Sequence, residues 1–225
     1  RGNRMAWFYE TATSMAGKVA GEKISLLDAN CNGKFDEIGK DAVMVGKAKW
    51  AVPLGRVVAL KGKLYHLKVD PMGKSVSVQP YEGEVAKLDM TKAFKAPGTL
   101  QYCVVQNGEA YFDLSKKGGM DVPLGKYTFL RGRLEKGKLS CNIVRGKMKE
   151  IEVGSGAATP TWGPPLKIVF AAKKNDDKVH IDSRLRFMGC ADEEYVDFKN
   201  VIATPDIQVK SSEGMLACKG KFTTG

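Results

Sequence analysis

The chain consists of many short segments rich in Val, Ile, Leu, Tyr and Phe, interrupted by Gly, Lys, Asn or Pro. These interruptions recur about every 8 to 12 positions, which is the spacing of turns between short strands. Segments such as KSVSV (74–78) and KVHID (178–182) alternate strictly between polar and apolar residues. No stretch has the 3.6-residue apolar periodicity of a long helix. We therefore predict an all-β fold of two or three antiparallel β-sandwich modules.

An internal similarity suggests how these modules are arranged. VPLGR (52–56) is followed by LKGKL (60–64), and VPLGK (122–126) is followed by LRGRL (130–134), about 70 residues later. Two related modules, one reused hairpin type, or chance would each explain the match. In both copies we predict a hairpin at the second glycine, where a positive φ is permitted between two basic residues.

Changes in composition give the predicted boundaries. GSGAATPTWGPP (154–165) is the clearest linker, and a weaker one lies near KAFKAPG (92–98). We predict an N-terminal β module over 1–95 that contains a calcium-type hairpin loop. A second module follows over 96–158, either separate from the first or continuous with it, and a third covers 159–225.

The stretch LLDANCNGKFDEIGKD (26–41) contains polar residues at the spacing of a cation-binding loop. Asp28, Asn30, Asn32 and Asp36 occupy positions 1, 3, 5 and 9, and Gly33 lies at position 6, where a sharp reversal is needed. The carbonyl of Lys34 falls at position 7. Because alternate side chains of a curled loop point inward, we predict that their oxygen atoms converge on a Ca²⁺ ion.

This loop resembles the calcium loops of the EF-hand and, more closely, the DxDxDGxxD loops that join strands in extracellular β repeats. It departs from the EF-hand at position 12, where Gly39 replaces the bidentate Glu. Glu37 or Asp41 is expected to supply the missing carboxylate, and the affinity is expected to be weak, on the order of 10⁻⁴ to 10⁻³ M. The alternative is an Asx-rich turn held by its own hydrogen bonds.

Longer stretches resemble bacterial exported proteins of uncharacterised families. KISLLDANCNGKFDEIGKDAVMVG and the meander after it are similar to a recurring exported module, and DVPLGKYTF is similar to the strand entry of transthyretin-like sandwiches. The closing run from SRLRFMGCADEEYVDFKN onwards resembles the later strands of an immunoglobulin-like sandwich. The resemblance implies an extracellular or periplasmic location and an immunoglobulin-like C-terminal module, and it implies no particular activity.

The formal net charge of +11 raises the question of an anionic partner. The lysines lie in GK, KGK and KK contexts at predicted turns, and no nucleic-acid-binding module is recognisable, which favours a solvated lysine-rich surface over a nucleic-acid interface. A cell-envelope polysaccharide, another envelope protein or a lipid surface stays open as a partner. No apolar run approaches the roughly 20 residues of a membrane span.

Motifs for catalysis are missing from the sequence. There is no GxSxG, HExxH, P-loop or dinucleotide-binding fingerprint. The best enzymatic alternative is a glycosidase that uses carboxylates of the acidic run at 192–197, with Trp and Tyr side chains as a sugar-stacking face. Five cysteines without a CxxC pair argue against structural zinc, and Cys190 and Cys218 either form a disulfide or stay free.

The sequence thus predicts a non-enzymatic secreted or cell-envelope protein with a structural or binding role. Calcium is its one predicted cofactor, held weakly by a loop that the ion stabilises. The predicted metal ligands are Asp28, Asn30, Asn32, Lys34 through its carbonyl, Asp36 and Asp41. Two alternatives stay open: a carbohydrate-active or carbohydrate-binding protein that uses residues 192–197, and a basic module that binds an anionic polymer or nucleic acid.

Overall fold

The computed structural model describes residues 13–175, 178–181, 185–200, 206–210 and 212–221. No residue in these ranges is helical, and all pairings between the named strands are antiparallel. The predicted all-β class is confirmed, and the several sheets are consistent with a β-sandwich. Part of the run that resembles an immunoglobulin-like sandwich lies outside the described residues, and that finer assignment stays a prediction.

The N-terminal part contains two small sheets that share one core. Four strands form the first sheet: β1 (Ser14–Val19), β2 (Glu22–Leu27), β3 (Ala42–Val45) and β4 (Val52–Pro53). Three strands form the second: β5 (Val57–Leu60), β6 (Lys63–Val69) and β7 (Val76–Pro80). Alternate residues of these strands are buried, as the period-2 pattern predicts. The core residues are Ile24, Leu26, Phe35, Val43, Leu54, Val58, Leu60 and Leu67.

An eight-stranded sheet dominates the rest of the chain. Its order is β10-β9-β12-β13-β19-β18-β15, and β14 pairs with the beginning of β12. Strands β8 (Val85–Leu88) and β11 (Met120–Pro123) form a separate pair. The members of the large sheet are β9 (Thr99–Asn107), β10 (Ala110–Asp113), β12 (Gly125–Lys136), β13 (Leu139–Val144), β14 (Ile151–Val153), β15 (Lys167–Val169), β18 (Arg186–Met188) and β19 (Glu194–Lys199).

Two isolated hairpins complete the described strands. They are β16 (Ala172–Asn175) with β17 (Lys178–Ile181), and β20 (Asp206–Lys210) with β21 (Leu216–Lys221). The alternating segment KVHID coincides with β17, although its last residue lies outside the described ranges.

The second core connects parts of the chain that the sequence assigned to different modules. Its buried residues include Leu88, Phe129, Ile143, Trp162 and Tyr195. Strand pairing crosses both predicted boundaries, because β8 pairs with β11 and β13 pairs with β19. The Gly/Pro-rich stretch 154–165 therefore joins strands that belong to the same sheet and the same core.

One predicted hairpin is wrong. In the first VPLG copy, Lys61 and Gly62 have positive φ and turn β5 into β6, as expected. In the second copy, Gly132 lies inside the long strand β12. It pairs with Cys103 of β9 on one side and with Ile143 of β13 on the other. A Cβ at Gly132 would lie 3.4 Å from the ring of Phe129 and 3.3 Å from the carbonyl oxygen of Tyr102. This glycine gives room to a buried aromatic ring, and the turn lies instead at Gly137, where φ is 59°.

Candidate metal centre

The candidate loop connects β2 to β3, and strand pairing brings its two ends together. Leu27 and Ala42 form the last pair of the β2–β3 ladder. Asp28 comes directly after Leu27 and Asp41 directly before Ala42, so the two acids lie at the end of this ladder. Both carboxylates are almost fully buried, with 3% and 1% of their surfaces exposed. Burying two neighbouring carboxylates is costly unless hydrogen bonds or a cation compensate for their lost hydration.

Asp28 is compensated by the loop's own backbone. Its two oxygens accept hydrogen bonds from the N–H groups of Asn32 (3.1 Å) and Gly33 (2.7 Å). The φ values of Cys31 (58°) and Gly33 (81°) fold the chain back over this carboxylate. Asp28 therefore organises the tight turn that the motif predicts.

Glu37 is the group around which the polar side chains of the loop gather. One of its oxygens accepts hydrogen bonds from the side-chain amides of Asn30 (2.8 Å) and Asn32, and the other pairs with the ammonium of Lys40 at 3.0 Å. The amide of Asn30, the ammonium of Lys40 and the amide of Asn32 lower the pKa of Glu37 to about 2. Glu37 is therefore ionised over the physiological pH range.

Asp41 is only partly compensated. Its Oδ2 accepts the N–H of Glu37 at 2.8 Å, and the N–H of Ala29 also lies near this carboxyl, but the buried Oδ1 makes no hydrogen bond of good geometry among the described residues. Burial raises the pKa of Asp41, and the negative charges of Glu37 and Asp28 raise it further, against the opposing effect of backbone N–H groups. A buried carboxylate oxygen without a well-formed hydrogen bond, close to two other acids, is a group that a cation would stabilise.

The six predicted ligands are not equally placed. Asn30 and Asn32 meet at Glu37, and Asp28 and Asp41 lie side by side at the base of the loop. The Oδ1 of Asn32 accepts the N–H of Lys34 at 2.9 Å. Asp36 makes none of these contacts and instead lines a groove on the other side of the loop.

The geometry can be compared with what calcium requires. Among the described residues, no three His, Cys, Asp or Glu side chains form a ready metal cluster. The loop nevertheless offers the oxygen ligands that calcium prefers, from three carboxylates and two side-chain amides. Rotating the amides of Asn30 and Asn32 by 180° would place their oxygen atoms where the nitrogen atoms now face Glu37. The buried Oδ1 of Asp41 is the observation that fits an ion. The prediction of the individual ligands stays a prediction.

Three of the four acids of the run 192–197 have separate partners. Glu193 is fully buried and accepts the N–H groups of Gly163 and Ala191, whereas Glu194 pairs with Arg186 at 2.7 Å. Asp197 accepts a hydrogen bond from Asn142 at 3.0 Å. No two of these side chains bind each other, so the described contacts do not assemble an acid and a base around one point.

The cysteines and the aromatic side chains fall into buried and exposed sets. Cys103 is a buried free thiol whose pKa is raised by burial, Cys190 is an exposed free thiol, and the side chain of Cys218 lies outside the described residues. Trp162 is a core residue. Trp50 is exposed and packs edge-on against Tyr102, with their ring centroids 5.3 Å apart.

Comparison with known proteins gives no relative. No protein-family model matches the chain, and no match is found among the curated proteins or the solved structures. Within the described residues there is no helix with the length and hydrophobicity that a membrane crossing needs.

Sequence reasoning missed two features of this region. The sequence indicates Glu37 only as a substitute ligand, whereas its side chain binds both asparagines. The signal was present, since a carboxylate next to Asp36 must point to the other side of an extended chain. The groove beside the loop was missed because its walls come from three separate segments.

Proposed function

We propose that this chain is a non-enzymatic structural or binding protein, secreted or located in the cell envelope, in which a weakly bound Ca²⁺ ion stabilises the loop 28–41. The observation that carries the calcium proposal is the buried Oδ1 of Asp41, which makes no hydrogen bond of good geometry among the described residues. A weak site suits compartments outside the cytosol, because extracellular modules bind calcium with dissociation constants on the order of 10⁻⁴ to 10⁻³ M.

The proposed ligands are the side chains of Asp28, Asn30, Asn32, Glu37 and Asp41, with the carbonyl of Lys34 as a backbone donor. When bound, the ion supplies positive charge that compensates the buried acids. Asp28 and Asp41 fix the ends of β2 and β3, and Glu37 holds the outer part of the loop through its amide contacts. The ion thereby links the two ends of the loop, and its role is to make the loop rigid.

A calcium titration followed by thermal unfolding tests this proposal. With a dissociation constant of about 1 mM, 10 mM Ca²⁺ stabilises the folded state by about 1.4 kcal/mol, which raises the Tm by about 4 °C. We expect Asp41→Asn and Glu37→Gln to abolish this shift, because each removes a charged ligand. Mg²⁺ at the same concentration is expected to give a smaller shift, since it demands a tighter octahedral geometry.

Asp36→Asn is the matched control. Asp36 lies in the same loop but lines the groove, so this variant is expected to keep the full calcium shift. If Asp36→Asn loses the shift while Glu37→Gln keeps it, the ligand set predicted from the linear spacing is right and the role of Glu37 is wrong. The absence of any shift in the unmodified chain at 10 mM Ca²⁺ contradicts the proposal and leaves the Asx-rich turn.

A carbohydrate partner is the second candidate, and the exposed Trp50 favours it. Trp50 is 39% exposed, packs against Tyr102, and carries the guanidinium of Arg133 at 5.9 Å from its ring centroid. Arg133 is fixed by Glu135 and Ser140 on the neighbouring positions of the sheet. An aromatic face bordered by fixed polar groups suits stacking and hydrogen bonding by a sugar ring.

Binding to insoluble polysaccharide checks this second candidate. We expect Trp50→Ala to reduce retention on peptidoglycan or chitin by about tenfold, because one exposed stacking ring contributes about 1–2 kcal/mol. Tyr111→Ala, at a tyrosine outside this face, serves as the comparison. If the unmodified chain is not retained on any polysaccharide tested, the second candidate is rejected while the calcium proposal is unaffected.

A further inference from the structure

A groove of about 430 Å³ lies beside the candidate loop, in the N-terminal part of the fold. Strand β5 begins at Val57, which pairs with His66, so the last residues of β6 extend beyond it. Asp36, Ile38 and residues 54–56 line the groove together with this overhanging end of β6. The volume falls within the range of about 300–1,000 Å³ that is typical of small-molecule sites.

The groove combines an apolar floor with a charged rim. Ile38 and Val69 line it with partly buried side chains that pack against the N-terminal core cluster, whereas Leu54 and Leu67, which also line it, are buried members of that cluster. Because these side chains are fixed in a packed core, the floor is already formed in the absence of a ligand. An apolar group placed here would be removed from water without a rearrangement of the fold.

The rim carries two cationic side chains, one histidine and one acidic side chain. Arg56, His66 and Lys68 line the groove, and Asp36 is the one acidic residue that lines it. Arg56 pairs with the exposed Glu109. Within the described part of the chain, Lys68 has no hydrogen-bond or ion-pair partner, and His66 has a ring contact with Tyr81 at 5.2 Å. The ammonium of Lys68, at the edge of the apolar floor and without a partner among the described residues, is free to bind a negative charge.

From this geometry we propose that the groove binds a small amphipathic anion, a molecule with an apolar body and one carboxylate, sulfonate or phosphate group. The apolar body lies on Ile38 and Val69, and the anionic group meets Lys68, His66 and Arg56. Asp36 repels the anion and limits the affinity. The net charge of +11 favours the approach of anions over cations.

The groove and the candidate calcium site share one loop but use alternate residues. Asp36 and Ile38 line the groove, whereas the side chain of Glu37 between them binds the two asparagines and Lys40. The groove proposal therefore does not depend on calcium. Measuring ligand binding in EDTA separates its outcome from that of the calcium titration.

The test uses 8-anilinonaphthalene-1-sulfonate, which carries one sulfonate on an apolar aromatic body and fluoresces when it binds. We expect the full chain in EDTA to bind one molecule, with a dissociation constant on the order of 10–100 µM. Decanoate and decyl phosphate, representing carboxylate and phosphate ligands, are expected to displace the probe. Decyltrimethylammonium, which has the same chain length and the opposite charge, is expected to displace it at least tenfold less well.

Three variants locate the binding site. Lys68→Glu is expected to weaken probe binding about tenfold, because it replaces an attractive charge by a repulsive one. Lys63→Glu makes the same change on the same strand, β6, outside the groove, and is expected to change binding less than twofold. Asp36→Asn is expected to tighten binding two- to threefold, since it removes the repulsive carboxylate.

Two outcomes overturn the proposal. One is equal weakening by Lys68→Glu and Lys63→Glu, which would mean that only the overall charge attracts the probe. The other is equal displacement by the cationic and anionic chains, which would mean an apolar site without charge preference. Circular dichroism of each variant shows whether it is folded, and Lys68→Gln, expected to weaken binding about threefold, replaces Lys68→Glu if that variant does not fold.

Discussion

Replacing Trp162 by alanine is expected to lower the free energy of unfolding by about 3–5 kcal/mol, as measured by urea denaturation. Trp162 is 1% exposed and packs against the rings of Phe94 and Phe129, at centroid distances of 4.4 and 5.1 Å. Its indole N–H donates to the carbonyl oxygen of Met90 at 2.7 Å. The substitution removes the largest side chain of this part of the core and leaves a buried carbonyl without its donor.

Trp50→Ala is the matched control for this prediction. It removes the same side chain from a site that is 39% exposed, and we expect a loss of less than about 1 kcal/mol. Trp162→Phe separates packing from hydrogen bonding, with an expected loss of about 1–3 kcal/mol. If Trp162→Ala and Trp50→Ala destabilise the chain equally, the stretch 154–165 behaves as the linker predicted from its composition, and the described packing is not what stabilises the fold.

The second large effect is expected at Glu193. This carboxylate is fully buried, and its oxygens accept the N–H groups of Gly163 (2.6 Å) and Ala191 (3.0 Å). Glu193→Ala leaves both donors buried and unpaired, which is expected to cost about 2–4 kcal/mol in urea denaturation. The two hydrogen bonds connect the stretch before β15 to the turn before β19, so their loss loosens the end of the large sheet.

The pH dependence gives a sharper test at the same residue. Burial raises the pKa of Glu193 above its ordinary value of 4.5 despite the opposing backbone N–H groups, so the folded state holds this proton more tightly than the unfolded state. The contribution of this proton to stability is complete below pH 4.5 and is lost as the pH rises through the folded-state pKa. Glu193→Gln does not titrate. We therefore expect the free energy of unfolding of the unmodified chain to fall, relative to that of Glu193→Gln, as the pH rises through the folded-state pKa.

The neighbouring residue is the control and has the opposite sign. The guanidinium of Arg186 lowers the pKa of Glu194, so its contribution is present above pH 4.5 and is lost as the pH falls through the lower folded-state pKa. Glu194→Gln should therefore differ from the unmodified chain more at neutral pH than at pH 3. If both variants give the same pH course, the two side chains do not occupy the opposite environments that the structure gives them.

The contrast between Glu193 and Glu194 shows how far the sequence could predict this fold. Alternation along KSVSV and its neighbours predicted antiparallel strands, because period-2 burial is a local property that does not depend on partner strands. The composition of the acidic run 192–197 indicates only that its carboxylates could serve a glycosidase. Which of its members is buried depends on the pairing of β19 with β13, and that pairing brings together residues distant in the chain.

The same reason accounts for the error at Gly132 and for the position of Trp162. A glycine between two basic residues has the composition of a hairpin turn, but in β12 it accommodates the ring of Phe129. A stretch rich in Gly, Pro and Thr has the composition of a linker, but the indole of Trp162 fixes it to the carbonyl of Met90. For the candidate metal centre, the spacing of the motif predicted the reversal at Gly33. It did not predict that Phe35 enters the core and leaves Asp36 and Glu37 with different surroundings.

The interleaved second core affects how the protein emerges from the ribosome. The N-terminal core uses residues between Ile24 and Leu67 and can close soon after these are released. The second core extends from Ala86 to Tyr195. Its strands β10, β9, β12 and β13 can pair with one another once Val144 is released, but the outer edge of β13 waits for β19, about 50 residues or about 3–10 s of synthesis later. During this interval β13 presents an unpaired edge to the surrounding solution. The order of synthesis thus makes this half of the nascent chain the part that most needs a chaperone.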